Sequence, residues 1–527
     1  MPLYKKWVPK WLVHFCNFFL VVIFTNALLM NVVGYDMTHV QGHFGASVQD
    51  LQLSIQLPFA ILLIIVPVTM ALAFSLPLQP TFVGAGLATA FFYIGCLLAP
   101  TIYWFTFFKA LLCISALLAL LCSIIPLMLT YNPKFNMPML FAIIYSVVFG
   151  LGDICKFMGT YIISVFNWEY GFLFFIALIF VAVVMVSVFF KRERVLPKPK
   201  GGGSLDVPGL SLLMALFVGL TVILVKGPNE HWFESRLIQG MASFCLILIG
   251  IYILYAAHIK KAYVQLEVFT YKNTLIGGFF LTAAGFLLST SGALNGLMGM
   301  SGFNNISMGQ AYLPQILGVV SASIVCVVAI KNKIYLSTIM ALGFIALALF
   351  HLTMARHFYQ GIGTHDFFWP VILRGAGQIF LYLSLAIYVA ENIPKHLSGS
   401  RVIVSVFFKI ILGAFIGGAT FGYFSTRDNK LHATGISQGV TYYNPLALQQ
   451  YNSAKGVALF NGANENESNQ FAMKVMSSKI NQPASLLASK DMYLVCGMIS
   501  LLLALIVSLF KVIQHPPGNI VVEPVPI

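Results

Sequence analysis

The chain has 527 residues, of which 59% are hydrophobic and 9% charged. Soluble domains run nearer about 45–50% apolar and about 25% charged, so a soluble globular protein is excluded, and 46 phenylalanines exclude disorder. The formal charge of +14 comes from 30 Lys and Arg against 16 Asp and Glu. In a membrane protein such an excess fixes topology and meets anionic lipid, so no nucleic-acid partner is expected.

The apolar runs fall in order along the chain. The first, 12–34, follows the basic residues Lys5, Lys6 and Lys10. It is too long for a signal peptide and lacks a small-residue cleavage site, so it reads as a retained span. Runs at 51–74, 80–99, 104–129, 138–166 and 168–190 come next. The segment KRERVLPKPKGGGSLD, 191–206, is a basic and then Pro/Gly-rich linker. Two runs, 207–226 and 236–257, precede five more at 273–295, 309–331, 333–355, 367–390 and 401–424. A stretch rich in Asn, Gln, Ser and Ala, 425–490, is too long for a mere connection and reads as an external loop, an outer cap or docking surface. The last run is 491–512.

About 20 apolar residues cross a bilayer, so the prediction is an all-α integral membrane protein of fourteen transmembrane helices. Its expected parts are a six-helix N-terminal half (1–190), a cytoplasmic linker (191–206) and an inserted helix pair (207–257). Then come the first five helices of a C-terminal half (258–424), the external loop (425–490), and the last helix with a cytoplasmic tail (491–527). With the N-terminus inside, 17 Lys and Arg fall in cytoplasmic segments and 3 in short external loops. That bias predicts two cytoplasmic termini and an even helix count. The eight cysteines all lie in apolar runs without metal-ligand spacing, so no metal site is expected.

Three segments carry a family resemblance. SLDVPGLSLLMALFVGLTVILVKGPNEHWFESR, 204–236, has Asp206 and Gly209 opening a helix and Trp232-Phe233 closing a polar loop. FFWPVILRGAGQIFLYLSLAIYVAENIP, 367–394, holds an R-G-x-G at Arg374, Gly375 and Gly377. TRDNKLHATGISQGVTYYNPLALQQY, 426–451, holds a His, an N-P and a Q-Q, and NQPASLLASKDMYL follows. These segments resemble the fourteen-helix drug–proton antiporters, the EmrB/QacA subfamily of the major facilitator superfamily. The resemblance implies two six-helix halves plus two inserted helices, alternating access, and export of amphipathic or drug-like molecules by proton antiport from a bacterial inner membrane. It also implies a periplasmic adaptor and an outer-membrane channel in double-membrane bacteria. The coupling motifs differ from the family pattern. The helix-one acidic position is Asn26, with Asn31 as the following Asn, and the loop ALAFSLPLQPTF between the second and third spans is uncharged. Lys109 and Lys409 stand where the family has Arg, and the fifth-span G-P-x-x-G-G becomes Cys155-Lys156-Phe157-Met158-Gly159-Thr160.

Charges near the bilayer centre cost about 2.5–3.5 kcal/mol each on insertion scales, so each one within a span is informative. Asp153 is the one acid deep in a span, and Lys156 lies three positions on, on the same face. Two readings stand: a proton-coupling carboxylate, or a neutralised pair locking the fifth span to the fourth through Lys109. Lys109, Lys156, Arg374 and Lys409 give four intramembrane cations. Facing one cavity, they would favour an anion or a lipid headgroup; otherwise they bind carbonyls or lie near span ends. Asn26, Asn31 and Gln56 are candidates for substrate contact or for helix–helix glue. His14 and His351 read as packing residues. No G-x-x-x-x-G-K-[ST] is present, and no catalytic cluster can be built, so neither an enzyme nor a cofactor is expected. The reading is a secondary transporter of a small-molecule substrate in contact with membrane lipid. The rivals are a carrier of an anionic metabolite or lipid, and a non-transporting scaffold or sensor.

Overall fold

A computed structural model describes residues 3–29, 38–131, 137–194 and 206–509, apart from 229, 260, 360, 392 and 442. Fourteen helices among them are long and apolar enough to cross a membrane. They are α1 (Lys10–Leu29), α2 (Val48–Ser75), α3 (Leu78–Leu97), α4 (Ile102–Tyr131), α5 (Met139–Val165), α6 (Trp168–Phe189) and α7 (Val207–Lys226). The rest are α8 (Arg236–His258), α9 (Lys272–Met300), α10 (Asn305–Lys331), α11 (Leu336–Ala355), α12 (Thr364–Ala390), α13 (Ser398–Ser437) and α14 (Glu465–Leu509). Helices satisfy every backbone group internally, which a lipid environment requires. The linker residues 195–205 and the tail after Leu509 lie outside the described residues.

The buried side chains sort into separate cores. One gathers α1–α6, including Phe24, Phe82, Phe105 and Phe172. A second gathers α9–α12 and α14 around Phe344, Leu347 and Tyr382. A third joins α2 (Ala60, Leu63, Ile64) through α7 and α8 to Ile403, Val404 and Ile411 of α13. The inserted pair thus sits between a helix of the first half and a helix of the second.

Polar ties fix the helix ends. Tyr4 pairs with Phe190 across a single bridge, and Lys191 N donates to the Leu3 carbonyl at 2.9 Å. This brings the basic residues flanking α1 and α6 to one end of the bundle. Asp50, in the first turn of α2, pairs with Lys226 at the end of α7 at 3.5 Å. Asp206 caps α7 by accepting from Gly209 N at 3.0 Å. It also accepts from Tyr263 N at 2.7 Å and from the Tyr255 hydroxyl. A Cβ on Gly209 would run into the Asp206 carboxylate, so the D-x-x-G spacing follows from the cap itself.

The stretch 425–490 is helical, in contrast to the expected loop. α13 runs on to Ser437, a surface helix spans Pro445–Phe460, and α14 begins at Glu465. Asn444 caps the surface helix through Leu446 N at 3.1 Å, with Pro445 at its first position. Asn464 and Glu467 cap α14 reciprocally, each backbone N–H donating to the other's side chain at 2.9 Å. The 45 residues of α14 span about 68 Å at about 1.5 Å per residue, against a hydrocarbon core of about 30 Å. Its first half therefore stands outside the bilayer and packs through Ala472 and Met476. His432 and Asp491 join α13 to α14 at 2.9 Å.

Replacing Asp206 by alanine removes a cap and two further acceptor bonds. The expected loss is about 1–2 kcal/mol, read as a lower thermal midpoint in detergent than that of Asp206→Asn, which keeps an acceptor. Equal midpoints for the native chain and the alanine variant would refute the assignment.

Candidate functional site where the two halves meet

α5 carries the contact between the halves, and it departs from α-helical winding over Ser146–Leu151, which is π-helical. α13 has the same feature over Phe407–Phe415. Such segments add a residue per turn and occur often at functional sites. α5 meets the second half through a Ser146–Ser323 hydroxyl bond of 2.6 Å and through Gly150 against Val319.

At one level of this contact lie Asp153, Lys156 and Arg374. Arg374 and Lys156 are the cations whose fields act on Asp153. One Asp153 carboxylate oxygen is buried without a hydrogen-bond donor. Arg374 donates from Nη1 to Gln315 Oε1 at 2.9 Å, and its guanidinium lies 5.8 Å from the Tyr312 ring. Gln315 Nε2 donates in turn to Gln378 at 3.4 Å, and the Tyr312 hydroxyl to Asn295 at 2.7 Å. The Arg374 Nε–H is buried without an acceptor. The R-G-x-G residues explain the approach. A Cβ on Gly375 would lie 2.5 Å from the Gln315 carbonyl, and one on Gly318 would strike the Ile372 carbonyl. Glycine at both positions lets α12 and α10 touch backbone to backbone, which sets Arg374 on Gln315.

Lys409 lies further along. Its Nζ is 3.7 Å from the Tyr382 ring centroid, 5.0 Å from Phe149 and 5.4 Å from Tyr145. Tyr382 is eight residues after Arg374, about 12 Å along a helix at about 1.5 Å per residue. Lys409 therefore does not share a level with Arg374.

The remaining expected site residues are dispersed. Lys109 is 3% exposed, within the first-half core. It lies 5.9 Å from the Phe105 ring, and the thiols of Cys96 and Cys113 are its titratable neighbours. It joins neither Asp153 nor the other cations, so the expected lock through Lys109 and the shared four-cation cavity are not formed. Asn26 is buried, and its carbonyl oxygen has no donor. α1 meets α5 at Val22–Cys155 and Leu29–Gly152, and Asn26 falls between them on the same stripe. It therefore faces α5 at the Gly152–Cys155 turn, the turn that carries Asp153. Gln56 is half-buried on α2, and Asn31 lies outside the described residues. His351 places both ring nitrogens near carbonyls, Leu347 at 2.7 Å and Leu287 at 3.2 Å, and packs on Tyr493.

Tyr145, Phe149, Tyr312, Gln315, Gln378 and Tyr382 were not singled out from sequence. A signal was present: Arg374, Gln378 and Tyr382 are spaced by four, as are Tyr145 and Phe149, so each set lines one helix face.

No family profile matches the chain. It is 23% identical over 356 residues to the probable multidrug resistance protein EmrY of Escherichia coli K12, covering 65% of this chain and 67% of that protein. It is 22% identical over 321 residues to the multidrug export protein EmrB of the same strain, covering 60% of this chain and 61% of EmrB. The chain thus spans less than two thirds of the EmrB length that it matches. Among solved structures, a POT family transporter in complex with 5-aminolevulinic acid aligns with a TM-score of 0.56 at 11% identity, covering 95% of each chain. A bacterial homologue of the human drug peptide transporters aligns with a TM-score of 0.51 at 12% identity, covering 95% of this chain and 99% of the other.

The chain has the major facilitator fold. It is a multi-pass membrane protein similar in sequence to the EmrB-type proteins.

Gly375→Ala forces α12 from α10 or distorts Gln315, an overpacking cost of about 1–3 kcal/mol. The melting midpoint in detergent is expected to fall. Gly399→Ala, which meets nothing within 4 Å, is expected to leave it unchanged or raise it. Equal midpoints for the two variants would show that the α10–α12 contact has slack.

Proposed function

We infer that the chain is a secondary transporter that carries amphipathic small organic molecules by alternating access, with Asp153 as the proton carrier. One observation carries this reading. The acid set deep within a span lies where the two halves meet, with a buried oxygen that no donor satisfies. Asn26 presents a second undonated oxygen from the adjoining face of α1. A buried acceptor left bare costs about 1–3 kcal/mol, and a proton on the carboxyl, or a donor on a bound molecule, removes that cost. Arg374 acts on the same carboxylate and has an unused Nε–H. Protonating Asp153 would free Arg374 for another anion or a polar cargo group, which couples proton to cargo. Export is the direction named for the relatives EmrY and EmrB, and we extend it to this chain.

The charge bias favours both termini in the cytoplasm, and the Escherichia coli relatives support a bacterial inner membrane. The helical cap of 425–490 would then stand on the outer side. There it could meet a periplasmic adaptor and outer-membrane channel in a double-membrane cell.

A second reading keeps the mechanism and changes the cargo to an anionic metabolite or lipid headgroup. It is favoured by Lys156, Arg374 and Lys409, three cations to one acid along the contact between the halves.

The test is proteoliposomes with a pH-sensitive dye inside, an imposed proton gradient, and cationic, neutral and anionic amphiphiles added in turn. Cargo-dependent proton flux is expected, and Asp153→Asn is expected to abolish it while still binding cargo. Flux that survives the substitution would overturn Asp153 as the carrier. Anion uptake without proton flux would select the second reading.

A further inference from the structure

The Lys409 ammonium has an unusual set of neighbours. Three aromatic rings lie against it, Tyr382 from its own half and Tyr145 and Phe149 from α5. The rings stand at mutual centroid distances of 5.7, 5.8 and 6.4 Å with their planes 27°, 11° and 35° apart, so they form one continuous aromatic lining on one side of the ammonium, the three-ring box. Among the described residues no carboxylate pairs with Lys409. The favourable electrostatics come from the ring faces, which attract a cation within about 6 Å.

The backbone that delivers the lysine is also specifically seated. Lys409 lies in the π-helical part of α13. Its carbonyl occupies the space that a Cβ on Gly285 would need. The adjacent Phe408 carbonyl, freed from regular winding, accepts from Thr282 Oγ1 at 3.1 Å. Three rings, a glycine and a hydroxyl thus hold one ammonium in a place where no acid calls for it.

A box of three rings without an acid is the chemistry that binds substituted ammonium ligands. We propose that the Tyr145–Phe149–Tyr382 box is an organic-ammonium site that the native chain keeps filled with its own Lys409. A tethered group acts at an effective concentration in the millimolar range or above, so it shuts out free ammonium compounds of comparable intrinsic affinity. Lys409 is then a specificity-determining residue: it removes cationic cargo from the range the pathway accepts. That consequence for transport rests on the proposed function; the occupancy of the box does not.

The experiment uses the purified full chain in detergent and equilibrium dialysis of benzyltrimethylammonium, with neopentylbenzene as its uncharged isostere. The native chain is expected to show no saturable binding of the ammonium probe. Lys409→Ala empties the box and is expected to bind the probe about tenfold or more tightly than the native chain, in preference to the isostere. Arg401 also acts on Tyr145, so a cation remains nearby and the gain stays modest. Adding Tyr382→Ala to Lys409→Ala is expected to abolish the gain, and Lys409→Arg to bind like the native chain. If the alanine variant does not fold, Lys409→Met keeps an apolar stem and should show the same preference for the ammonium with a smaller gain. The proposal is overturned if the native chain binds the probe as tightly as Lys409→Ala, if the folded variant gains nothing, or if the isostere binds equally well. Silent proteoliposomes would count against the transport reading and leave this one standing; failed dialysis would do the reverse.

Discussion

A positive charge within a bilayer costs about 2.5–3.5 kcal/mol on insertion scales and needs a partner there. This chain has one deep acid to serve several cations, so its charges are held mostly by amides and rings. Arg374 rests on Gln315 and Tyr312, and Lys409 rests on Tyr382. These partners lie in the cation's own half. Each cation also has a neighbour across the contact: the field of Arg374 reaches Asp153, and Tyr145 and Phe149 lie beside Lys409. Parting the halves therefore takes away one set of neighbours and leaves the other. Arg374 and Lys409 each keep a partner in their own half, and among the described residues no buried ion pair spans the contact between the halves. Alternating access needs such a contact, since breaking a buried pair by removing one partner costs about 3–5 kcal/mol.

The arrangement depends on backbones coming close enough for short side chains to meet. Gly318 and Gly375 bring α10 to α12, and Gly285 and Gly413 bring α9 to α13. The two π-helical segments fall on α5 and α13, the fifth helix of each half in chain order. Each segment contributes directly to the aromatic box, Phe149 from one and Lys409 from the other. A segment wound with an extra residue per turn has an α-helical alternative that would turn its side chains about the helix axis. The box is thus built on the two stretches of these helices most open to a change of winding.

Much of the architecture was legible because bilayer spans are long and apolar, and the R-G-x-G could be quoted before its reason was known. Three features were hidden for physical reasons. Tyr145, Phe149 and Tyr382 could not be told from lipid-facing aromatics in a chain with 46 phenylalanines, because spacing gives a stripe but not the neighbour it faces. Lys109 was grouped with the other cations because depth in a span does not say which side of the helix a residue occupies. The stretch 425–490 read as a loop because its buried stripe is made of small residues. Ala454, Ala458 and Ala472 pack there, and alanines among Asn, Gln and Ser give little apolar rhythm.

The inserted pair adds a mechanical constraint that chain order conceals. α7 and α8 touch α2 of the first half and α13 of the second through one apolar cluster. Their polar ties are uneven. Lys226 pairs with Asp50 at the start of α2, and the Tyr263 hydroxyl just after α8 donates to the Ile64 carbonyl further along the same helix. Toward α13, among the described residues, there are the Phe217–Phe407 ring contact, a bond from Gln265 N to Ser400 Oγ at 2.9 Å and a solvent-exposed His396–Glu267 contact at 3.4 Å just before the helix. Apolar surfaces slide with little penalty, whereas directed bonds resist displacement, and α2 holds its bonds at two separated points. When the halves move, the pair should travel with α2 and slip along α13, next to the π-helical segment that carries Lys409. Although the pair lies between the halves in sequence, its bonds make it a mechanical part of the first.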